Sequence, residues 1–286
     1  MILVTGAAGQ LGTDVAAELQ RRKIEYIGTD IIAAESIEAL DITDSSAVGK
    51  RVDACKPKCV IHCAAYTAVD KAEDEAERCF RINAEGTENI ARACGDTDSA
   101  MIYISTDYVF DGKGETPYET DAVKSPISIY GKSKLAGEEA VQRYLEKYFI
   151  VRISWVFGQI GNNFVKTMRN LAKAKYELSV VSDQIGSPTY TPDLAKLLCD
   201  MAQSTGKQKK YGIYHATNEG FCSWADFAEE IMSRTKSSCR INPILSEQYP
   251  TKAARPKNSR LSKVSLDEAG FERMPAWQDA LGRFLC

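Results

Sequence analysis

Ile2-Leu3-Val4-Thr5-Gly6-Ala7-Ala8-Gly9-Gln10-Leu11-Gly12 passes from a short apolar strand segment through a glycine-rich turn. It leads into a segment, Thr13 to Arg22, with helical periodicity. The glycines are spaced by three and three, a departure from the G-x-G-x-x-G pattern, but the physical demands are the same. Gly6 permits a tight turn, Gly9 lets the backbone approach a pyrophosphate, and Gly12 allows close helix–strand contact. The N–H groups at the start of the helix face the anion. The turn follows a strand and opens a helix, the context that gives such a motif its meaning. Gly6, Gly9, Gln10, Leu11 and Gly12 are therefore candidate cofactor contacts.

Outward from this turn, strand and helix signals alternate. Strands are expected at Glu25 to Asp30, Ile37 to Ile42, Lys58 to Ala65, Met101 to Ser105 and Phe149 to Ser154. Helices are expected at Ser45 to Ala54, Asp74 to Cys94 and Tyr130 to Tyr148. Lys58 to Ala65 is almost continuously apolar, as a strand covered on both faces requires. The alternation predicts an α/β fold, a doubly wound parallel (Rossmann) sheet with right-handed crossovers. Beyond Gly158 the helices are separated by loops, with prolines at 188, 192, 243, 250 and 256. We read residues 1–157 as the dinucleotide-binding domain, with about 190–216 packing back on it. Residues 158–189 and 217–286 then form a smaller C-terminal substrate-binding lobe. The run Lys207-Gln208-Lys209-Lys210 reads as a solvated loop. Asp30 closes the second strand, where a carboxylate can accept hydrogen bonds from a ribose diol. Ile31 and Ile32 follow it and no arginine, which favours NADH over its phosphorylated form. Asp41 and Ile42 are placed to flank an adenine.

The chain has 286 residues, 44% apolar and 26% charged, with a net charge of −3. This is an ordinary globular balance with too little charge to favour nucleic acid or an anionic membrane surface. No apolar run reaches the ~18 residues of a membrane span, and Met1 to Gly9 does not resemble a secretory signal. Nine cysteines but two histidines are present, and no Cys-x-x-Cys pair occurs, which argues against a zinc ribbon or a thioredoxin-like site. Cys55, Cys59 and Cys63 are evenly spaced beside His62. They are read as small apolar residues in and around a buried strand, with no metal site expected. A reduced, cytoplasmic protein follows as the expectation.

Tyr130-Gly-Lys-Ser-Lys134 places a tyrosine and a lysine on one face of a predicted helix, one turn apart. A cation beside a phenol favours the phenolate and is expected to lower the tyrosine's pKa. Such a tyrosine can exchange a proton with a carbonyl or alcohol oxygen while a nicotinamide transfers hydride. Ser105-Thr106 ends the fifth strand, where strand termini line the ligand crevice of a doubly wound sheet, so Thr106 can hydrogen-bond the substrate oxygen. Thr106, Tyr130 and Lys134 are the catalytic candidates.

The glycine turn, Thr106 and Tyr130/Lys134 together resemble the extended short-chain dehydrogenase/reductases, and more narrowly the dTDP-4-dehydrorhamnose reductase family. The narrower resemblance is carried by Thr5 to Gly12, Cys63-Ala-Ala-Tyr-Thr-Ala-Val-Asp70-Lys-Ala-Glu73, Asn83 to Thr87 and Ser105-Thr-Asp-Tyr-Val-Phe-Asp-Gly112. It continues through Tyr130 to Lys134, Arg152-Ile-Ser-Trp-Val-Phe-Gly158, Asn163-Phe, Asp183-Gln-Ile-Gly-Ser-Pro-Thr189 and Arg255 to Ser259. It implies reduction of the C4 ketone of a dTDP-linked 4-keto-6-deoxyhexose by NADH or NADPH. It further implies that Ala64, Ala65 and Tyr66 line the cofactor and that Lys134 holds its ribose. Thr106 and Asp107 would touch the sugar, Trp155 would pack against it, and Asn83 would support the hydrogen-bond network. Arg255 and Lys257 would meet the nucleotide diphosphate. A monomer or homodimer is expected. Some members dimerise around a divalent metal. Asp14 falls where one ligating acid lies, but Pro192 stands where a second is expected and Asp193 comes one step late, which argues against a metal bridge.

Two other readings share the fold. Dehydratases look for an acid pair after the strand-five threonine, and here Asp107 is followed by Tyr108; epimerases match the Ser105 to Asp111 segment less well. A non-catalytic regulatory subunit resembling the methionine adenosyltransferase beta subunit would also keep Tyr and Lys. Trp155 argues against it, because that subunit has an aliphatic stretch there.

Overall fold

The computed structural model describes residues 1–206 and 210–286; most of the Lys207–Lys210 run thus lies outside the described residues. The opening segment forms β1 (Ile2–Thr5) and α1 (Gln10–Arg21), followed by β2 (Tyr26–Asp30), β3 (Ile37–Ala39), α2 (Ser45–Cys55) and β4 (Cys59–His62). Next come α3 (Val69–Ala72), α4 (Ala76–Phe80), a π turn over Arg81–Gly86, α5 (Thr87–Asp96), β5 (Ala100–Thr106), α6 (Ile129–Tyr144) and β6 (Tyr148–Ile153). The second half holds β7 (Val156–Phe157), α7 (Phe164–Ala172), β8 (Glu177–Val181), β9 (Ile185–Gly186), β10 (Thr189–Tyr190) and α8 (Thr191–Ser204). It ends with β11 (Gly212–His215), β12 (Cys222–Ser223), α9 (Trp224–Arg234), β13 (Arg240–Ile244), α10 (Val264–Glu268) and α11 (Trp277–Leu285).

Seven strands make one parallel sheet in the order β11-β6-β5-β4-β1-β2-β3. This order makes the sheet doubly wound, the fold class read from the sequence, with the direction of winding reversing between β1 and β4. Val4, Ile61, Ile102 and Val151 pack one face against α1 and α8; Leu3, Val60, Met101 and Ile150 pack the other against α2, α5 and α6. A separate core around Phe157, Phe227, Trp277 and Phe284 holds α7, α9 and α11 together. α8 lies along α1, tied to it by Arg22, which donates to Asp200 at 2.5 Å and to the Lys196 carbonyl.

Local chemistry sets the boundaries. Asp44 caps α2 by accepting from Ala47 N, and Ser128 caps α6 by accepting from Gly131 N. α6 stops at Tyr144, short of the expected Tyr148, because Leu145 turns extended and buries its side chain while the chain enters β6. The expected helix over Asp74 to Cys94 runs from Ala76 to Asp96 with the π turn in its middle. The strand expected over Ile37 to Ile42 ends at Ala39: Leu40 N–H makes the last ladder bond, to the carbonyl of Asp30 where β2 itself ends, and Asp41 then opens a turn. The strand expected through Ala65 ends at His62, and the residues after it border the sheet's C-terminal edge.

In the turn after β1, Gly6 takes φ = +68° and lies so close to the chain after β4 that a Cβ would stand 2.5 Å from Ala64 N. A Cβ on Gly12 would collide with the Gly6 carbonyl oxygen and with Ala7. Gly12→Ala is therefore expected to destabilise the fold by about 2 kcal/mol or more. Thermal unfolding followed by circular dichroism should show a Tm lowered by about 5 °C or more. An unchanged Tm would contradict this packing.

Candidate active site

The C-terminal ends of β1, β2, β4, β5 and β6 open onto one cleft of about 800 Å³. One end of it is the glycine turn. α1 begins after Gly9 with no side-chain cap and no acid in its first turn, so the positive helix terminus faces the cleft unneutralised. That arrangement fits the diphosphate of a dinucleotide. Asp30 stands beside the turn with both carboxylate oxygens engaged, Oδ2 accepting from Ala8 N at 3.0 Å and Oδ1 from Ile31 N at 2.8 Å. These bonds fix the carboxylate at the cleft wall. Asp41 Oδ1 accepts from the N–H and hydroxyl of Thr43, which holds the Asp41-Ile42 edge in place. Ala64 and Ala65 form the floor after β4.

At the other end, Thr106 closes β5 in an extended conformation. Its hydroxyl donates to Asp107 Oδ1 at 3.0 Å and accepts from Tyr108 N at 3.2 Å. Ser259, from the C-terminal half, donates to Asp107 Oδ2 at 2.5 Å. Burial of Asp107 outweighs these bonds and raises its pKa to about 6. The Tyr130 ring borders the same cleft as Thr106 and meets Tyr108 edge-on, with centroids 5.5 Å apart. Lys134, one turn further along α6, is 2% exposed, and its Nζ sits 4.1 Å from the centre of the Tyr103 ring. Burial lowers the lysine pKa to about 7, opposed by the charge of Glu138.

The direction of the tyrosine shift corrects the sequence expectation. Desolvation, and then the nearby Asp107 carboxylate, push the Tyr130 pKa upward, more than the neighbouring Thr106 hydroxyl lowers it. Spacing on a helix placed the lysine near the phenol, but spacing does not report how far the phenol is withdrawn from water.

Trp155 lines the cleft from just beyond β6 with φ = +50°, an uncommon conformation for a bulky residue. Its indole stacks on Trp224 at 3.7 Å between ring centroids. Trp224, the first residue of α9, was not singled out from the sequence; the Ser223/Asp226 capping box marks the helix start but says nothing about the stack. Tyr108 was likewise missed, although it sits inside the Ser105 to Gly112 segment.

Four expected contacts do not border the cleft. Tyr66 packs against Ala72 and Cys79, and its hydroxyl donates to Glu75 at 3.1 Å. Asn83 lies behind the wall on the π turn, where it bonds Tyr66 N, Tyr66 O and Ser133 Oγ at 2.8 to 3.0 Å. It thereby links the segment after β4 to the Tyr130 helix, a positioning contact. Arg255 is paired with Asp70 at 2.6 Å and donates to the Tyr108 hydroxyl at 3.2 Å; Lys257 is paired with Asp183 at 2.9 Å. His62 and His215 are buried, and desolvation pushes both down to about 3, so neither titrates near neutral pH.

A parallel sheet in this order, with a glycine turn at its switch point and a Tyr/Lys helix beside the cleft, defines the short-chain dehydrogenase/reductase class of Rossmann proteins. Comparison with known proteins narrows this. The family described as RmlD substrate binding domain matches residues 1–286, and the chain belongs to that family. The dTDP-4-dehydrorhamnose reductase of Aggregatibacter actinomycetemcomitans is 40% identical over 288 residues, covering 98% of this chain and 96% of that protein. The spore coat polysaccharide biosynthesis protein SpsK of Bacillus subtilis is 40% identical over 284 residues, covering 99% and 96%. The crystal structure of dTDP-4-dehydrorhamnose reductase from Bacillus anthracis in complex with NADP superposes with a TM-score of 0.92 at 42% identity, covering 99% and 98% of the two chains.

The raised pKa of Asp107 has a thermodynamic consequence. A carboxyl that binds its proton more tightly folded than unfolded adds stability below the unfolded value and loses that contribution as pH rises through the folded value. Relative to Asp107→Asn, the protein should therefore lose about 3 kcal/mol between about pH 4 and about pH 6. Urea unfolding of both proteins across this range checks it, and a flat difference would contradict the buried-carboxyl reading.

Proposed function

We propose that this protein is a dTDP-4-dehydrorhamnose reductase, reducing the C4 ketone of dTDP-4-dehydro-L-rhamnose to the alcohol of dTDP-L-rhamnose with NADPH or NADH. The observation that carries the reading is that Thr106, Tyr130 and Lys134 border the same cleft as the glycine turn. The full-length likeness to reductases of that name supports the substrate assignment.

The turn from Gly6 to Gly12 holds the cofactor diphosphate, with Gln10 and Leu11 completing the cradle. Asp30 meets the adenosine ribose, Asp41 and Ile42 flank the adenine, and Ala64 and Ala65 support the middle of the dinucleotide. When bound, the reduced nicotinamide supplies the hydride. The chain's own groups handle the oxygen. Thr106 holds the carbonyl oxygen, and Tyr130 gives it a proton. The upward shift of Tyr130 keeps that proton in place before reaction. Once it leaves, the phenolate needs a counter-charge, and Lys134 on the same helical face provides it while also meeting the nicotinamide ribose. Asp107 bonds the sugar hydroxyls, and the Trp155–Trp224 stack walls the substrate side. Residues 158–189 and 217–286 act as the lobe that receives the nucleotide sugar. There, Arg255 and Lys257 can exchange their carboxylate partners for the substrate diphosphate.

Purified protein should oxidise NADPH or NADH when given dTDP-4-dehydro-L-rhamnose. Tyr130→Phe should retain its fold and lose about 100-fold or more in kcat. Unchanged turnover by Tyr130→Phe would overturn the proton-donor role, and absence of turnover by the wild type would overturn the function.

A further inference from the structure

Behind the cleft, Glu138 and Arg152 form an ion pair in which both side chains are fully buried. Arg152 Nε donates to Glu138 Oε1 at 2.8 Å and Nη2 to Oε2 at 2.7 Å. Its Nη1 donates to the Thr120 carbonyl at 2.9 Å, with His215 Nε2 3.4 Å away. From the other side, the Ser105 hydroxyl donates to Glu138 Oε1 at 2.5 Å. Burying such a pair is expensive, and an apolar pair of similar volume often serves packing equally well or better. Its position suggests what the charge is for. Glu138 lies four residues after Lys134 and eight after Tyr130, on the same face of α6. Ser105 directly precedes Thr106.

We propose that Glu138 is a positioning residue for the reaction: clamped by Arg152, its carboxylate keeps Lys134 cationic and ties the Ser105-Thr106 end of β5 to the Tyr130 helix. The function of the lysine cation rests on the proposed reductase activity; the electrostatic link between Glu138 and Lys134 does not.

The surroundings of Lys134 single out Glu138. The titratable groups facing the lysine are Glu138 on α6, Tyr103 on β5, His62 and Cys63 at β4, and Cys79 on α4, with Tyr130 one turn before it on α6. Asp107 and Glu73 lie toward the Tyr130 end of the helix, the latter accepting from Ile129 N. Desolvation keeps Tyr103 and both thiols protonated and His62 neutral at neutral pH. The carboxylate of Glu138 is thus the charge within this group that opposes the burial of the ammonium. A neutral lysine could not stabilise the phenolate left when Tyr130 gives up its proton.

The direct test is titration of Lys134 by NMR in protein isotope-labelled at the lysine ε-carbons, the resonance being assigned by its loss in Lys134→Arg. Glu138→Gln keeps an oxygen for the Ser105 hydroxyl and removes the charge. The lysine pKa is expected to fall by about one unit or more, and the high-pH limb of the kcat profile to move down with it while KM changes less than about threefold. Because Glu138→Gln strands the Arg152 guanidinium in the core, where its own charge also disfavours the ammonium, the double variant Glu138→Gln/Arg152→Met is measured beside it and should show a smaller shift in the same downward direction. A folded variant in which Lys134 titrates as in the wild type overturns the proposal, whatever happens to its melting temperature. If the wild type does not reduce the ketosugar, the functional reading fails while the titration still decides this one.

Discussion

The close approach of α6 to β5 and to the π turn is the contact on which the reactive end of the cleft depends. A Cβ at Gly137 would stand 2.6 Å from the Asn83 carbonyl oxygen, so the helix sits at a distance only glycine allows there. At that distance Tyr103 can donate to the Lys134 carbonyl at 3.2 Å while its ring lies under the Lys134 ammonium. Asn83 reaches Ser133, which in turn donates to the Tyr130 carbonyl at 2.7 Å. The tyrosine and lysine are therefore fixed by the backbone of their own helix as well as by side-chain contacts. The cost of the arrangement is a lysine withdrawn from water, whose ammonium is stabilised by an aromatic face and by the field of one buried carboxylate.

The second half of the chain completes the cleft through a few connections to the sheet. Ser259 reaches Asp107 at the end of β5, and Arg255 reaches Asp70 and Tyr108. Ala253 N–H is taken by Asp70, and Lys252 is paired with Asp74. Residues 252–259 thus lie across the end of the site as a strap whose outer contacts are charge pairs, partly exposed and individually weak. Its inner contact, on Asp107, is buried. Trp155 marks the opposite wall, where its left-handed backbone is held by the Trp224 stack and by the Trp155 carbonyl accepting from Thr189 N at 3.1 Å.

Most of the sheet could be read from local pattern, because parallel strands buried on both faces leave continuous apolar runs and the glycine turn announces the first crossover. The Tyr130/Lys134 face was legible for the same reason: a four-residue spacing on a helix is a geometric statement. What escaped was non-local. The π turn carries no proline or glycine at its start, and the extra residue it inserts at Arg81–Gly86 shows only once Asn83 is seen clasping Tyr66. Tyr66 itself leaves the cleft because a helix later in the chain offers it Cys79 and Glu75. Arg255 looked like a free cation for a diphosphate, and nothing in its neighbourhood foretold a carboxylate brought from residue 70. The upward shift of Tyr130 was hidden because burial is a property of the assembled cleft.

If the glycine turn and the Tyr130/Lys134 face serve one carbonyl group, as proposed, the transferred hydride marks that carbon. The most direct measurement follows a labelled hydride: NADPH carrying deuterium at the transferable position of its nicotinamide is reacted with dTDP-4-dehydro-L-rhamnose, and the product sugar is examined by NMR. Deuterium is expected on the sugar carbon that bore the ketone, C4, and on no other. Product without deuterium at that carbon, or with deuterium on a neighbouring one, would contradict the proposal.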